Sequence, residues 1–357
     1  MSRVHNFSAG PGALPLPVLE DARTSLLDHE GSGLGILECS HRSPLFEEVL
    51  ASAKARLRRL LGLSDDQSIL FLHGGARTQF FMVPMNLLRG GRATYLDTGT
   101  WSHGAIAQAQ RFGTVDVPFS SRPTRYDHVP DTVGPTPEGT VYLHYTSNNT
   151  VAGTEFASIP DADVPLVCDM SSNILSRPVD ASRFHLIYAG AQKNMGPAGV
   201  TVVILKDEWL DRCDPDLPEM LRYGIHHSKD SMYNTPCTFG IYMIERVAAW
   251  LEDQGGVATI DARNQAQADR LYAQIDGTDF WQGLARGGSR SRMNVTFTTG
   301  DADLDLQFSR SAEKAGLSGL KGHRSVGGLR ASIYNAQTDA AVEALVAFMA
   351  DFEATHG

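Results

Sequence analysis

Residues 188–199 read YAGAQKNMGPAG, and the fold follows from what stands on either side of them. Phe184 to Tyr188 (FHLIY) is a short apolar run of strand composition, and Val200 to Leu205 (VTVVIL) is a second, strongly β-branched one. Between them Lys193 lies among Gly190, Gly196, Pro197 and Gly199. Glycines and a proline on both sides predict a tight, closely packed turn. A lysine held there loses solvation, which lowers its pKa toward the range where the free amine is a nucleophile. A lysine that forms a Schiff base needs that property. A single lysine more often sits exposed on a surface turn, so the rest of the chain must supply the partners of a site.

Moving towards the N-terminus, each apolar run delivers polar residues at its end. Pro165 to Cys168 leads to Asp169, 24 residues before Lys193, and Thr140 to Tyr145 leads to Thr146-Ser147-Asn148-Asn149-Thr150. A strand-end Asp commonly starts a turn; paired with a reactive lysine it can also serve a cofactor. Ala93 to Leu96 delivers DTGTW, placing Trp101 in a small-residue turn. Ser68 to Leu72 is followed by HGGARTQF (73–80) and a helix, a strand–turn–helix cradle in which backbone amides and the helix dipole favour phosphate. It matches neither GxxxxGK[ST] nor GxGxxG, which excludes nucleotide loops and a nicotinamide dehydrogenase. Further back, GSGLGILECSHRS (31–43) ends in His41-Arg42 just before a helix with Leu45, Val49, Ala53, Leu57, Leu60 and Leu61 at helical spacing. The N-terminal NFSAGPGALPLP (6–17) is non-helical until Pro15 and Pro17 open a helix to about Asp28.

Towards the C-terminus, 215–237 reads as loop and contains SMYNTP, with Asn234 and Thr235. Helices follow at Phe239–Gln254 and Val257–Ile275. Beyond them come a strand near 293–298, a helix near 304–315, a strand at 329–334 and a last helix from Thr338. Arg290 and Arg292 read as solvated charges. Arg330 lies within an apolar strand, where an unpaired guanidinium is costly; it needs either a structural Asp or Glu or a ligand carboxylate. His323-Arg324 precede it in KGHRSVGG.

Strand–helix alternation with polar residues at strand ends predicts an α/β fold, an open, mostly parallel sheet with ligands at its carboxyl edge. At 357 residues the chain exceeds what one core usually serves. A large α/β domain over 16–256 and a small α+β C-terminal domain over 257–357, joined by the N-terminal arm 1–15, are expected. The net charge of 31 − 41 = −10 disfavours nucleic acid and anionic membrane as partners, and requires local arginines for any anionic substrate. No apolar run approaches a membrane span and no signal pattern opens the chain. Four scattered cysteines without a CxxC pair indicate neither a metal site nor a disulfide framework. Cytoplasm is the expected compartment. Two NxT triplets, at 148–150 and 294–296, are chance matches in that setting.

Taken in order, FSAGP, SHR, HGGARTQF, the Trp101 turn, AGAQKNMGPAG, SMYNTP, SRMNV and GHRSVGGLRASIYNA resemble the phosphoserine aminotransferase family of class V, fold-type I pyridoxal-phosphate enzymes, over essentially the whole chain. The resemblance implies ping-pong transamination between L-glutamate and 3-phosphonooxypyruvate, giving 2-oxoglutarate and O-phospho-L-serine; it leaves open 4-phosphohydroxy-L-threonine as a further substrate. It implies pyridoxal 5′-phosphate on Lys193, with Trp101 stacked on its ring and Asp169 against its nitrogen. It further implies Ala76, Arg77, Thr150 and Gln192 as cofactor anchors, and Asn234 and Thr235 reaching the cofactor of a partner in a homodimer with shared sites. Arg330 would take the α-carboxylate; His41, Arg42, Arg77, His323 and Arg324 would surround the substrate phosphate or the glutamate side chain. The alternatives are another class V enzyme, of serine–pyruvate aminotransferase or cysteine desulfurase type, and a non-catalytic carrier of the cofactor. A desulfurase needs a mobile catalytic cysteine, and no recognisable loop motif holds one; a carrier has no use for so many substrate-facing arginines.

Overall fold

Each long apolar run becomes a strand and each helical-period stretch covers it, in the computed structural model, which describes residues 3–357. The arm carries β1 (His5–Asn6) and α1 (Leu16–Ser25), entered through Pro15 and Pro17, where a missing N–H costs no helical bond. α2 (Pro44–Leu61) starts at Ser43, whose side chain accepts from Phe46 N, and stops at Gly62 in the left-handed region. Its buried stripe is Phe46, Val49, Leu50, Ala53, Leu57 and Leu61, so the expected face holds at Val49, Ala53, Leu57 and Leu61, while Phe46 and Leu50 join it and Leu45 and Leu60 lie half-buried at its margins.

The large unit continues with β2 (Gln67–Leu72), α3 (Ala76–Leu87), β3 (Arg92–Asp97), α4 (Thr100–Ala109), β4 (Thr114–Ser120), β5 (Thr140–Thr146), the hairpin β6 (Asn148–Asn149) and β7 (Thr154–Glu155), β8 (Leu166–Asp169), β9 (Phe184–Gly190) and β10 (Thr201–Lys206). After α5 (Tyr223–Ser228), α6 (Thr238–Asp253) and α7 (Gly256–Asp276) come β11 (Gln282–Gly283), β12 (Asn294–Thr298), α8 (Ala302–Lys314), β13 (Leu317–Ser318), β14 (Leu329–Ser332) and α9 (Asp339–His356).

The main sheet has seven strands in the order β2-β10-β9-β8-β5-β3-β4. β9, β8, β5, β3 and β4 pair in parallel, and β10 runs antiparallel to both β9 and β2. The six parallel strands, β2 included, therefore end on one edge, at Leu72, Asp97, Ser120, Thr146, Asp169 and Gly190. Both faces are covered, which is why these strands read as continuous apolar runs. Ile187 and Ala189 face the core shared with α2 and α6, whereas Leu186 and Tyr188 face the core shared with α3 and α4. A third core, including Phe7, Leu271, Trp281, Phe297, Phe308 and Leu345, lies with the three-stranded sheet β11-β12-β14. The arm joins this core through Phe7 and through β1, which pairs with β13. α7 serves two cores, with Val257 and Ile260 in the first and Leu271 and Ile275 in the third.

Three local expectations are corrected. Trp101 stands in the first turn of α4, not in a turn without helix. Ser102 Oγ accepts from Thr98 N and Gly99 N at 2.9 Å each, which ties down the start of the helix. The 215–237 segment contains the short helix α5, and the exposed β4 is an edge strand that the sequence reading lacked.

Candidate active site

Four strand ends, the arm and β14 converge on the Lys193 amine. The turn after β9 closes on itself: Ala191 N donates to Val200 O (2.9 Å), and Met195 N and Gly196 N donate to Ala191 O (3.1 and 2.9 Å). The arm lies across it, with Gly12 N donating to Gln192 O (2.8 Å) and Ala9 O accepting from Tyr334 Oη (2.6 Å). Only a glycine fits at position 12, since a Cβ would come within 2.6 Å of the Tyr334 ring. Lys193 is thus 9 % exposed, and its Nζ donates to Thr150 Oγ1 at 2.6 Å. Burial pushes the amine down to about 8; Asp169 opposes this and the charge of Arg330 adds to it.

Thr150 sits at the tip between β6 and β7. Gly153, at φ +76°, lets that hairpin press on β12, where a Cβ would meet Thr296 Oγ1 at 2.3 Å. Thr296 Oγ1 donates to Ala152 O (2.9 Å) and ties the tip down. The Thr150 carbonyl then accepts from Arg330 Nη1 at 3.2 Å. Arg330 is 9 % exposed, forms no ion pair with an Asp or Glu among the described residues, and has a buried Nε without a hydrogen-bond partner. Of the two expectations for this arginine, the structural carboxylate is absent. Desolvation lowers its pKa. A buried guanidinium left this way calls for an anion from outside the chain.

Asp169 ends β8. Its Oδ1 accepts from Ser171 N (2.9 Å), and Ser171 Oγ accepts from Gly190 N (3.1 Å), so one serine links the carboxylate to the lysine turn. Burial raises the Asp169 pKa, opposed by the Ser171 hydrogen bond and the charge of Lys193. A proton-bearing ring nitrogen would supply the missing counter-charge. At the head of α3, Gly74 and Gly75 take φ +96° and +71°, and the Ala76 and Arg77 amides occupy the first turn, where no intrahelical acceptor exists. The Arg77 guanidinium lies 5.3 Å over the Trp101 ring.

One cleft of about 520 Å³ collects Ala76, Arg77, Trp101, Thr150, Asp169, Gln192, Lys193, His323 and Arg330. A desolvated amine, a buried carboxylate, a helix-head anion cradle and an indole are the donor set that pyridoxal phosphate requires, and an unpaired guanidinium remains for a second ligand. Sequence reading missed Ser171, Phe80 and Tyr334. The Asp-x-Ser spacing signalled the first through its turn chemistry; the other two carry no signal outside the fold.

Five expected residues do not line this cleft. His41 and Arg42 precede α2, and Arg324 is exposed beside His323. Asn234 and Thr235 stand next to His73, with Thr235 O 3.2 Å and Asn234 Nδ2 3.4 Å from His73 Nε2. They do not cap α6, whose N-cap is Cys237 without a side-chain bond. Arg290 and Arg292 are corrected from solvated charges to structural ones, paired with Asp276 and Asp261. Cys39, Cys168 and Cys213 are buried and Cys237 lies outside the cleft, so no cysteine is placed for desulfurase chemistry.

The aminotransferase class-V family model matches residues 4–345. The chain is 52 % identical over 360 residues to the phosphoserine aminotransferase of Desulfatibacillum aliphaticivorans, covering 100 % of this chain and 99 % of that one. The solved phosphoserine aminotransferase from Bacillus circulans subsp. alkalophilus superposes with a TM-score of 0.97 at 45 % identity, over 99 % of each chain. That from Trichomonas vaginalis, solved with pyridoxal phosphate bound, gives 0.93 at 39 % identity, over 98 % of this chain and 100 % of the other.

Proposed function

Because the chain belongs to the class-V aminotransferase family, we infer that it transfers the amino group of L-glutamate to 3-phosphonooxypyruvate, producing 2-oxoglutarate and O-phospho-L-serine for L-serine biosynthesis. The observation that carries this is the Lys193 amine, held at about 8 beside Thr150, in one cleft with Asp169 and an Arg330 that has no protein anion. A carrier needs the lysine but not the free guanidinium.

Bound pyridoxal phosphate supplies an electron-accepting ring that stabilises negative charge at the substrate Cα. The chain does the rest. Asp169 would pair with the protonated ring nitrogen, and Trp101, from the same cleft, would stack on the ring. The amides of Ala76 and Arg77, with Gln192 and Thr150, anchor the cofactor. Arg330 fixes the substrate α-carboxylate, which orients the Cα–H bond toward Lys193 Nζ, the base that takes that proton and returns one. His323 and Arg77 collect the substrate phosphate or the glutamate side chain, with Arg324, exposed beside His323 and outside the cleft lining, adding positive charge from next to it, against a net charge of −10.

Asn234, Thr235, His41 and Arg42 lie outside the cleft of their own chain, which supports a homodimer in which each contributes to the partner's site. The separate third core supports reading 16–256 as a large domain and 257–357 with the arm 1–15 as a small one. Four unpaired cysteines fit a reducing cytoplasm, and no helix among the described residues is long and apolar enough to cross a membrane.

The test is a panel of acceptors on the glutamate-treated, cofactor-loaded protein. 3-Phosphonooxypyruvate is expected to exceed hydroxypyruvate and pyruvate in kcat/KM by about 100-fold or more, the worth of two charge-assisted bonds. Equal use of the three would replace this reading by a serine–pyruvate type. Offering 4-phosphohydroxy-L-threonine as amino donor to the cofactor-loaded protein before glutamate treatment measures whether the same pocket takes the longer phosphorylated substrate.

A further inference from the structure

We propose that Ser325 selects the tautomer of His323, making it a positioning residue of the anion-binding end of the cleft. The proposal rests on the assignment of His323 to the substrate's anionic group. His323 lies in a reversal before β14 that the backbone closes tightly. Lys321 bridges Leu329, Gly322 N donates to Gly328 O at 2.9 Å, and Val326 N and Gly327 N both donate to His323 O at 3.0 and 2.8 Å. Gly322 comes so near the returning strand that a Cβ would lie 2.1 Å from Gly327 O. This closure holds the Ser325 amide in place. It donates to His323 Nδ1 at 3.2 Å, and Ser325 Oγ lies 2.7 Å from the same nitrogen.

A backbone amide can only donate, so Nδ1 carries the lone pair and the ring proton resides on Nε2. The ring lines the cleft that holds Lys193, Asp169 and Arg330. With Nδ1 engaged by Ser325, Nε2 is the nitrogen left for a ligand, and it presents an N–H. The opposite tautomer would present a lone pair, which repels a phosphate or carboxylate oxygen. The choice matters for the neutral ring, the form its surroundings favour. Burial and the charges of Arg330 and Arg324 hold it below the ordinary imidazole value, and the neutral ring is the form with two tautomers to choose between. A doubly protonated ring would also point an N–H at the Ser325 amide.

The test uses cofactor-loaded protein with 15N-labelled histidine, the His323 signals being identified by their loss in His323→Gln. Wild type should show the Nε2–H tautomer. Ser325→Ala keeps the amide and removes the hydroxyl, one of the two groups on Nδ1. It should therefore raise the share of the other tautomer and raise KM for 3-phosphonooxypyruvate about three- to tenfold, the loss of one neutral hydrogen bond. An unchanged tautomer share would overturn the role of the Ser325 side chain. Ser325→Thr, which keeps the hydroxyl, should behave as wild type. In a His323→Gln background, which has no tautomers, Ser325→Ala should add nothing. A wild-type ring protonated on Nδ1, or an equal effect of Ser325→Ala in that background, overturns the proposal. Because the tautomer is read without substrate, an Nε2–H ring in a protein that ignores phosphorylated keto acids would sink the substrate assignment and still support the hold of Ser325 on the ring.

Discussion

Lys193 and Thr150 are joined at 2.6 Å through Nζ and Oγ1, and the carbonyl of that same Thr150 receives Arg330 at 3.2 Å. One residue at a hairpin tip therefore sets the spacing between the reactive amine and the guanidinium that waits for a carboxylate. The distance between bond-making and substrate-holding groups is built into a single backbone unit.

The buried amine makes stability depend on pH. In the folded protein without cofactor Lys193 titrates near 8, and in the unfolded chain near 10.4. Between those values the unfolded chain holds the proton and the folded one does not, so this group's contribution to stability rises with pH across that window. Below about 8 the folded state carries the full penalty. Lys193→Met, stripped of cofactor, should therefore be more stable than the stripped wild type at pH 7, by about 1–3 kcal/mol. The gap should close as pH approaches 10. Paired denaturant titrations at pH 7 and 10 measure it; a gap that widens with pH contradicts the assignment of a low-pKa amine.

Arg330 should separate function from stability. Among the described residues it has no carboxylate partner, so Arg330→Met should leave the melting temperature of the cofactor-free protein unchanged or higher. KM for both glutamate and the keto acid should rise by about 100-fold, since both carry an α-carboxylate. Loss of several degrees of melting temperature with intact KM would make this arginine a structural residue.

The shared-site arrangement is testable by complementation. Lys193→Ala chains are co-expressed with Asn234→Ala/Thr235→Ala chains and the mixed dimer is isolated. Composite sites place both defects in one site and neither in the other, so about half the wild-type activity should return at limiting cofactor. If each chain's Asn234 and Thr235 serve its own site, nothing is restored.

Much of this site was legible in order along the chain. Lys193, Asp169 and Thr150 stand at ends of apolar runs, and parallel pairing puts all such ends on one edge, so sequence order sufficed to gather them. Trp101 was harder. Its helix has two glycines nearby and a buried stripe of small residues, Ser102, Ala105, Ile106 and Ala109, in which only Ile106 is large, and its start is tied by Ser102. Periodicity is weak where the buried stripe is this small and short. The same holds for Arg290 and Arg292, whose partners Asp276 and Asp261 lie on α7 and become visible only when α7 packs beside β12. Conversely, Arg330 declared itself, because an arginine flanked by apolar strand residues leaves few options.

The most direct measurement is the position of the covalent link. Cofactor-loaded protein is reduced with borohydride, digested and mapped by mass. The chemistry described above predicts a single modified peptide, labelled on Lys193, and no label in Lys193→Ala even though that variant still binds the cofactor. Label on another lysine, or an unlabelled wild type, would contradict it.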